Sequence, residues 1–415
     1  MDQLIAAVNA LRGVAGAPWR SQVRRVVVIL TSSRSGSSLF KEALARHPGI
    51  ASLDGEMEPL LALSGNGFGY HPACTSDAID LLQHADALAD MVFDGLTLPS
   101  AELAPKAELH ARWRRRLLLQ FPALFTAADE FARLQRSLDE ALDHVCAHGA
   151  QLTQHEINQT VLSSVFWRAR WRMDYYDGRY GPGEARPFGA EAKIEEPPFV
   201  LPSPWRRRCT EADVANNVLL FKTPSDAYRP GLYQQLFPHA EVRYLHLTRG
   251  YASCVNGLMD GWLSPTGFFA HDMARAGVRL QIGGYSDRHE FGQHWWKFDL
   301  PPNWREFIAA PLEEVCLNQW LSCHRHIFDN GSTALRIAFE DFLDDPADVL
   351  AQVCAWLDLA PGPAVEQLPI TMATEAPQAG RWRKRGALLS PMVRRPAVAD
   401  TMHMLGYPLE PERWR

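Results

Sequence analysis

Four short runs rich in apolar and β-branched residues punctuate the chain: Val26–Leu30, Val218–Phe221, Val242–Leu247 and Leu335–Phe339. A weaker fifth lies at Ile50–Leu53. Each run is short, meets a turn signal and leads into a segment with helical spacing, the pattern of strands alternating with helices. Mostly apolar runs of this length suit strands covered on both faces. The chain therefore predicts an α/β fold, a parallel β-sheet flanked by crossover helices. After Leu30 the spacing predicts a helix over Ser37–Arg46, stopped at His47-Pro48-Gly49.

Between Leu60 and Asn217 the pattern changes. Charges on one side and Leu, Phe and Ala on the other predict helices over Asp77–Leu88, Lys106–Phe121 and Ala127–His148. Residues 61–216 thus form a mainly helical insertion between two parts of one core, 1–60 and 217–415. The insertion ends in a stretch rich in aromatics, Arg, Gly and Pro, from Val165 to Arg208, which suits an irregular lid or a substrate-side surface. A second irregular region, Gly261–Asn303, carries Trp262, Phe268, Phe269, Trp295 and Trp296, aromatics suited to an acceptor pocket.

Composition adds exclusions. The chain has 415 residues, 47% hydrophobic and 22% charged, ordinary values for a globular protein. A formal charge of −6 gives no global case for binding nucleic acid. Local basic runs occur at Arg112–Arg116, Arg206–Arg208 and Arg381–Arg385, and runs of this kind usually form solvated faces. Seven dispersed cysteines, with no C-x-x-C pair, suit a reducing compartment better than a disulfide framework. No apolar stretch approaches the roughly 20 residues that span a bilayer, and the N-terminus lacks the apolar run of a signal peptide. The expectation is a cytoplasmic protein without a membrane partner.

The candidate chemistry begins at "VVVILTSSRSGSSLF", Val26–Phe40. A loop between a buried strand and a helix N-terminus aims several N–H groups at one point, where the helix dipole favours an anion. Small residues from Ser32 to Ser38 let a ligand approach the backbone, and Gly36 permits a left-handed turn. No lysine follows Gly36, as a Walker loop requires, and no G-x-G-x-x-G is present here. Lys41 lies a helical turn further on.

"TSSRSGSSLF" resembles the 5′-phosphosulfate loop of sulfotransferases that use 3′-phosphoadenosine 5′-phosphosulfate (PAPS). Three further stretches resemble that family in order: Phe221–Gly250, Leu335–Leu359 and the basic loop "RWRKRGALLSP", Arg381–Pro391. The resemblance covers about the first 60 residues and most of 217–410, and leaves 60–217 unplaced. It implies the family's P-loop-like fold, with PAPS as donor and 3′-phosphoadenosine 5′-phosphate (PAP) as product.

It also implies roles. Ser33, Arg34, Ser35, Gly36, Ser37 and Ser38 would hold the 5′-phosphosulfate, and Arg249, ending a strand, the 3′-phosphate. Where the family keeps a serine eight residues further on, this chain has Gly257, and Ser253 is the substitute. Arg383, Lys384, Arg385 and Gly386 resemble the loop that closes over the nucleotide. Lys222 would stand near the bridging oxygen. The histidine many relatives use as base is missing, since Pro224 and Ser225 occupy its place. Glu56 is the first candidate base, then Glu58, with His271 a third.

"SCHRH" and "HVCAH" lack the paired spacing of a zinc site, so no metal is expected. The leading expectation is a PAPS-dependent sulfotransferase acting on a hydroxyl, amine or amide of a small or carrier-tethered metabolite. Natural-product biosynthesis, for example of a sulfonated β-lactam, lies within that class. An atypical P-loop kinase and a non-catalytic binding protein of the same scaffold are the rivals.

Overall fold

In the computed structural model, residues 2–11, 18–173, 193–196, 201–265, 267–330, 335–365, 368 and 378–415 are described. The strands among them are β1 (Arg25–Leu30), β2 (Ile50–Leu53), β3 (Leu96–Pro99), β4 (Arg206–Arg208), β5 (Val218–Lys222), β6 (Glu241–Thr248), β7 (Phe269–Asp272), β8 (Trp295–Lys297) and β9 (Leu335–Ala338). Seven form one sheet in the order β4-β3-β2-β5-β1-β6-β9. β2, β5, β1, β6 and β9 run parallel, with Val27 of β1 level with Leu220 of β5 and Arg243 of β6. The protein is therefore a mixed α/β structure with a mostly parallel central sheet flanked by helices, as the apolar runs predict.

Alternation within β1 divides two cores. Val26, Val28 and Leu30 join Leu219 and Phe221 on one face. Val27 and Ile29 join Leu220, Leu245 and Leu247 on the other, under Phe40 and Leu44 of the helix Ser37–Leu44 and Phe342 and Leu350 beyond. Burial on both faces explains why these strands read as continuous apolar runs. A third core joins the helices Tyr251–Leu263 and Leu312–Asp329 to the C-terminal segment through Tyr251, Trp262, Trp296, Trp304, Trp320 and Trp414.

The segment between β2 and β5 departs from expectation in three places. It contributes β3 and β4, which extend the sheet antiparallel from β2. β4 is three arginines, a sequence that reads as a solvated run. Arg206 instead turns inward, donating to Ser52 Oγ (3.0 Å) and to the carbonyls of Thr97 and Ala45 (both 2.8 Å). The helix expected at Asp77–Leu88 lies at Ala85–Gly95, because Asp77 is buried and accepts from Leu300 N and Ser225 Oγ (both 2.7 Å), which pins its segment as a loop. In the helix Lys106–Gln120, Arg112 and Arg116 are buried in ion pairs with Asp54 (2.9 Å) and Glu195 (2.6 Å), not solvated. Burial opposes the charge of Asp54, yet Arg112, Arg116 and Arg206 hold its carboxyl at about 2.

Most of the aromatic and arginine-rich stretch Val165–Arg208, read as a lid, lies outside the described residues. Gly261–Asn303 contains the hairpin β7–β8, and its Trp262 and Trp296 are core residues rather than pocket walls. No helix among the described residues is long and apolar enough to cross a membrane.

Candidate active site

The parallel strands end on one side of the sheet, where ligands bind in open α/β folds. A cavity of about 870 Å³ opens there, between the loop after β1, the turns after β2, β5 and β6, the start of the helix after β9, and the loop before Trp382.

Its first end is built on the loop after β1. Gly36 caps the helix Ser37–Leu44 at φ 81° and has no side chain to bond the first-turn N–H groups. Those donors are left for a ligand. A Cβ on Gly36 would stand 2.2 Å from the Phe339 ring, so both the backbone angle and the close approach demand glycine. Arg34 is also left-handed (φ 68°), and its guanidinium lies 5.0 Å from the Phe268 ring centre. Burial, then the nearby Arg249, lowers its pKa to about 10.

Ser33, Arg34, Gly36, Ser37 and Ser38 all line the cavity. Ser35 does not: its hydroxyl turns into the loop, donating to Ser32 O (2.8 Å). Ser33 Oγ donates to Asp299, which also accepts from Tyr228 (2.8 Å) and which burial raises to about 6.

Arg249 reaches the cavity at the end of β6, held by Arg34 O (3.0 Å) and by the Phe339 ring (5.3 Å). Arg249 and Arg383 have no ion-pair carboxylate among the described residues. Ser253 lines the cavity, but its hydroxyl is spent on Arg415 O (2.7 Å). Lys384, Arg385 and Gly386 are not among the residues lining the cavity. Asp260, on the helix Tyr251–Leu263, gathers Arg381 (2.8 Å), Lys384 (2.9 Å) and Arg385 (2.7 Å). Gly386 opens the next helix beside Trp382. Arg383 and Arg381 face the cavity from this loop.

The second end is a carboxylate cluster. Lys222, 5% exposed and ending β5, is ion-paired to Glu56 and donates to Ser38 Oγ (3.2 Å). It therefore joins the loop to the carboxylates. Glu58 accepts from the buried Arg229 (2.6 Å), which also holds Asp226 (3.0 Å). The other oxygen of Glu58, Oε2, is buried without a hydrogen-bond partner among the described residues. Burial, opposed by Arg229 and reinforced by Glu56, Asp226 and Asp77, raises Glu58 to about 7. His271 lines the cavity 3.3 Å from Asp77; burial opposes its charge, but Asp77, with Glu58 and Asp299, raises its pKa.

Phe268 and Phe298 stack at 4.7 Å on the same wall, both left-handed (φ 68° and 62°). Glu196 accepts from Phe268 N (2.7 Å), and the buried Lys297 donates to Gly267 O (2.7 Å), so buried polar groups hold this loop in place.

Sequence reasoning missed Lys41, Arg229, Asp299 and Arg415. Lys41 lines the cavity but donates to Leu53 O. Asp299 and Arg415 carry no local signal, because their partners Ser33 and Ser253 lie far away in the chain. The small residues of the loop, with Arg249 bonded to Arg34 O and Arg383 on the same cavity, suit an anionic ligand. No group of three or more His, Cys, Asp or Glu among the described residues is arranged to hold a metal.

No protein-family model and no curated protein matches the chain. Among solved structures, the sulfotransferase domain from the curacin biosynthetic pathway is similar at 12% identity and TM-score 0.35, covering 94% of this chain and 99% of that one. The sulfotransferase domain from the Synechococcus PCC 7002 olefin synthase is 15% identical at TM-score 0.36, covering 94% and 96%. A sulfotransferase from Alicyclobacillus acidocaldarius is 12% identical at TM-score 0.34, covering 93% and 97%. Similarity this low adds nothing to the chemistry of the site.

Proposed function

We propose that the protein is a sulfotransferase that uses PAPS as donor and a hydroxyl, amine or amide of a small or carrier-tethered metabolite as acceptor. The observation that carries this reading is Lys222, set 3.2 Å from Ser38 Oγ between an uncapped anion loop and a carboxylate cluster. A charge that builds on a bridging oxygen at the loop would meet that ammonium.

The donor, when bound, supplies a sulfuryl group on a phosphate leaving group. The first-turn N–H groups, Ser37 and Ser38 bind its 5′ end, and Arg249 and Arg383 its 3′-phosphate, by guanidinium–phosphate pairing. Glu58 is the base this geometry favours. Glu56, the first choice from sequence, is paired to Lys222 and Glu58 to Arg229, but the pKa of Glu58 lies near neutrality, where a general base works best. Glu58, which lines the cavity, takes the proton of the attacking O–H or N–H. His271, fixed by Asp77, orients the acceptor. Activity in natural-product biosynthesis belongs to the same proposal.

A kinase reading has less support, since Lys41 is committed to Leu53 O and does not replace the Walker lysine. The test is release of PAP from PAPS across a panel of hydroxyl and amine acceptors. Acceptor-dependent release that Lys222→Met lowers about 10²–10³-fold is expected; release that is unchanged in that variant would sink the proposal.

A further inference from the structure

Resting on the donor reading above, we infer that Arg415 is a ligand of the donor's 3′-phosphate, and that Asp344 is the partner it leaves when that phosphate binds. Ser253, on the helix that follows Arg249, gives its hydroxyl to Arg415 O (2.7 Å). The contact therefore pins the backbone of Arg415 onto the helix that follows Arg249.

Trp414 strengthens the anchor. It is 8% exposed, packs on Tyr251 (5.7 Å) and Trp382 (5.1 Å), and donates to Pro408 O (2.9 Å). The guanidinium of Arg415, by contrast, is 62% exposed and lines the cavity, paired to Asp344, which is 63% exposed. Asp344 ends the helix Phe339–Asp344, whose Glu340 accepts from Gly250 N (2.9 Å), next to Arg249. Arg415 thus bridges the two elements that flank Arg249 across the cavity mouth.

An exposed ion pair is worth little, and releasing Asp344 to water costs little. A phosphate dianion offers the same guanidinium a bidentate partner of greater charge, so the exchange favours the ligand. Arg415 in this role selects for a 3′-phosphorylated nucleotide, with Asp344 as competitor.

Calorimetry with PAP and with adenosine 5′-monophosphate tests this on wild type, Arg415→Ala and Asp344→Asn, with thermal melting as the check on folding. Arg415→Ala is expected to weaken PAP about tenfold or more, the scale of a lost charge-assisted contact, and to leave the monophosphate unchanged. Asp344→Asn is expected to tighten PAP and leave the monophosphate unchanged. Arg415→Ala that affects neither nucleotide, or both alike, overturns the role of Arg415. Asp344→Asn that weakens or does not change PAP overturns the exchange. If wild type shows no preference for PAP, the donor reading itself falls and takes this inference with it.

Discussion

Gly36→Ala perturbs a tight point of the loop after β1. At φ 81° an L-residue is strained, which costs about 1–2 kcal/mol. The new Cβ would also stand 2.2 Å from Cζ of Phe339, a ring 5% exposed and packed on Phe342 (6.0 Å), so it has little room to move. Overpacking of this kind costs about 1–3 kcal/mol. The expected loss is therefore about 2–5 kcal/mol of stability, with loss of PAP binding because the loop shifts. Urea unfolding of Gly36→Ala, Phe339→Ala and the double variant separates the two terms. In the Phe339→Ala background the glycine substitution should retain only the backbone cost of about 1–2 kcal/mol. An equal cost in both backgrounds, or wild-type stability for Gly36→Ala, would refute the close-approach argument.

Lys222→Met should lower turnover of PAPS about 10²–10³-fold, the scale of losing one preorganised charge at the reacting centre, as measured by PAP release. Glu58, raised to about 7 from an ordinary value near 4.5, binds its proton more tightly folded than unfolded; stability should therefore fall as pH rises from about 4.5 through 7, and Glu58→Gln should flatten that slope in urea titrations at pH 5, 6, 7 and 8. Asp260→Asn strips three cations of their shared carboxylate and should cost about 1–3 kcal/mol in thermal or urea unfolding, with weaker PAP binding because the loop carrying Arg381 and Arg383 loosens.

The parallel core was legible because its strands are buried on both faces, so Val26–Leu30 and Val218–Phe221 carry their own signal. The turn after β1 was legible because small residues and a glycine stand between an apolar run and a segment of helical spacing. The edge strands were not. Leu96–Pro99 is too short to show alternation, and Arg206–Arg208 hides a strand behind three charges whose inward partner, the Arg206 site at Ser52 and Thr97, exists only in the fold. Asp77 shows the same limit. Its spacing favours a helix, and its buried bonds to Leu300 and Ser225, from distant segments, override it. Lys384 and Arg385 resemble a phosphate-gripping loop, yet both pair with Asp260, which sits on another helix and has no motif around it.

The proposed donor is a nucleotide phosphorylated at both the 3′ and 5′ ends. Calorimetric titration of PAP against ATP, with wild type and Arg249→Ala, tests it most directly. Tight binding of PAP over ATP, lost in Arg249→Ala, is the expected result. Preference for ATP, or PAP binding that survives the loss of Arg249, would contradict it.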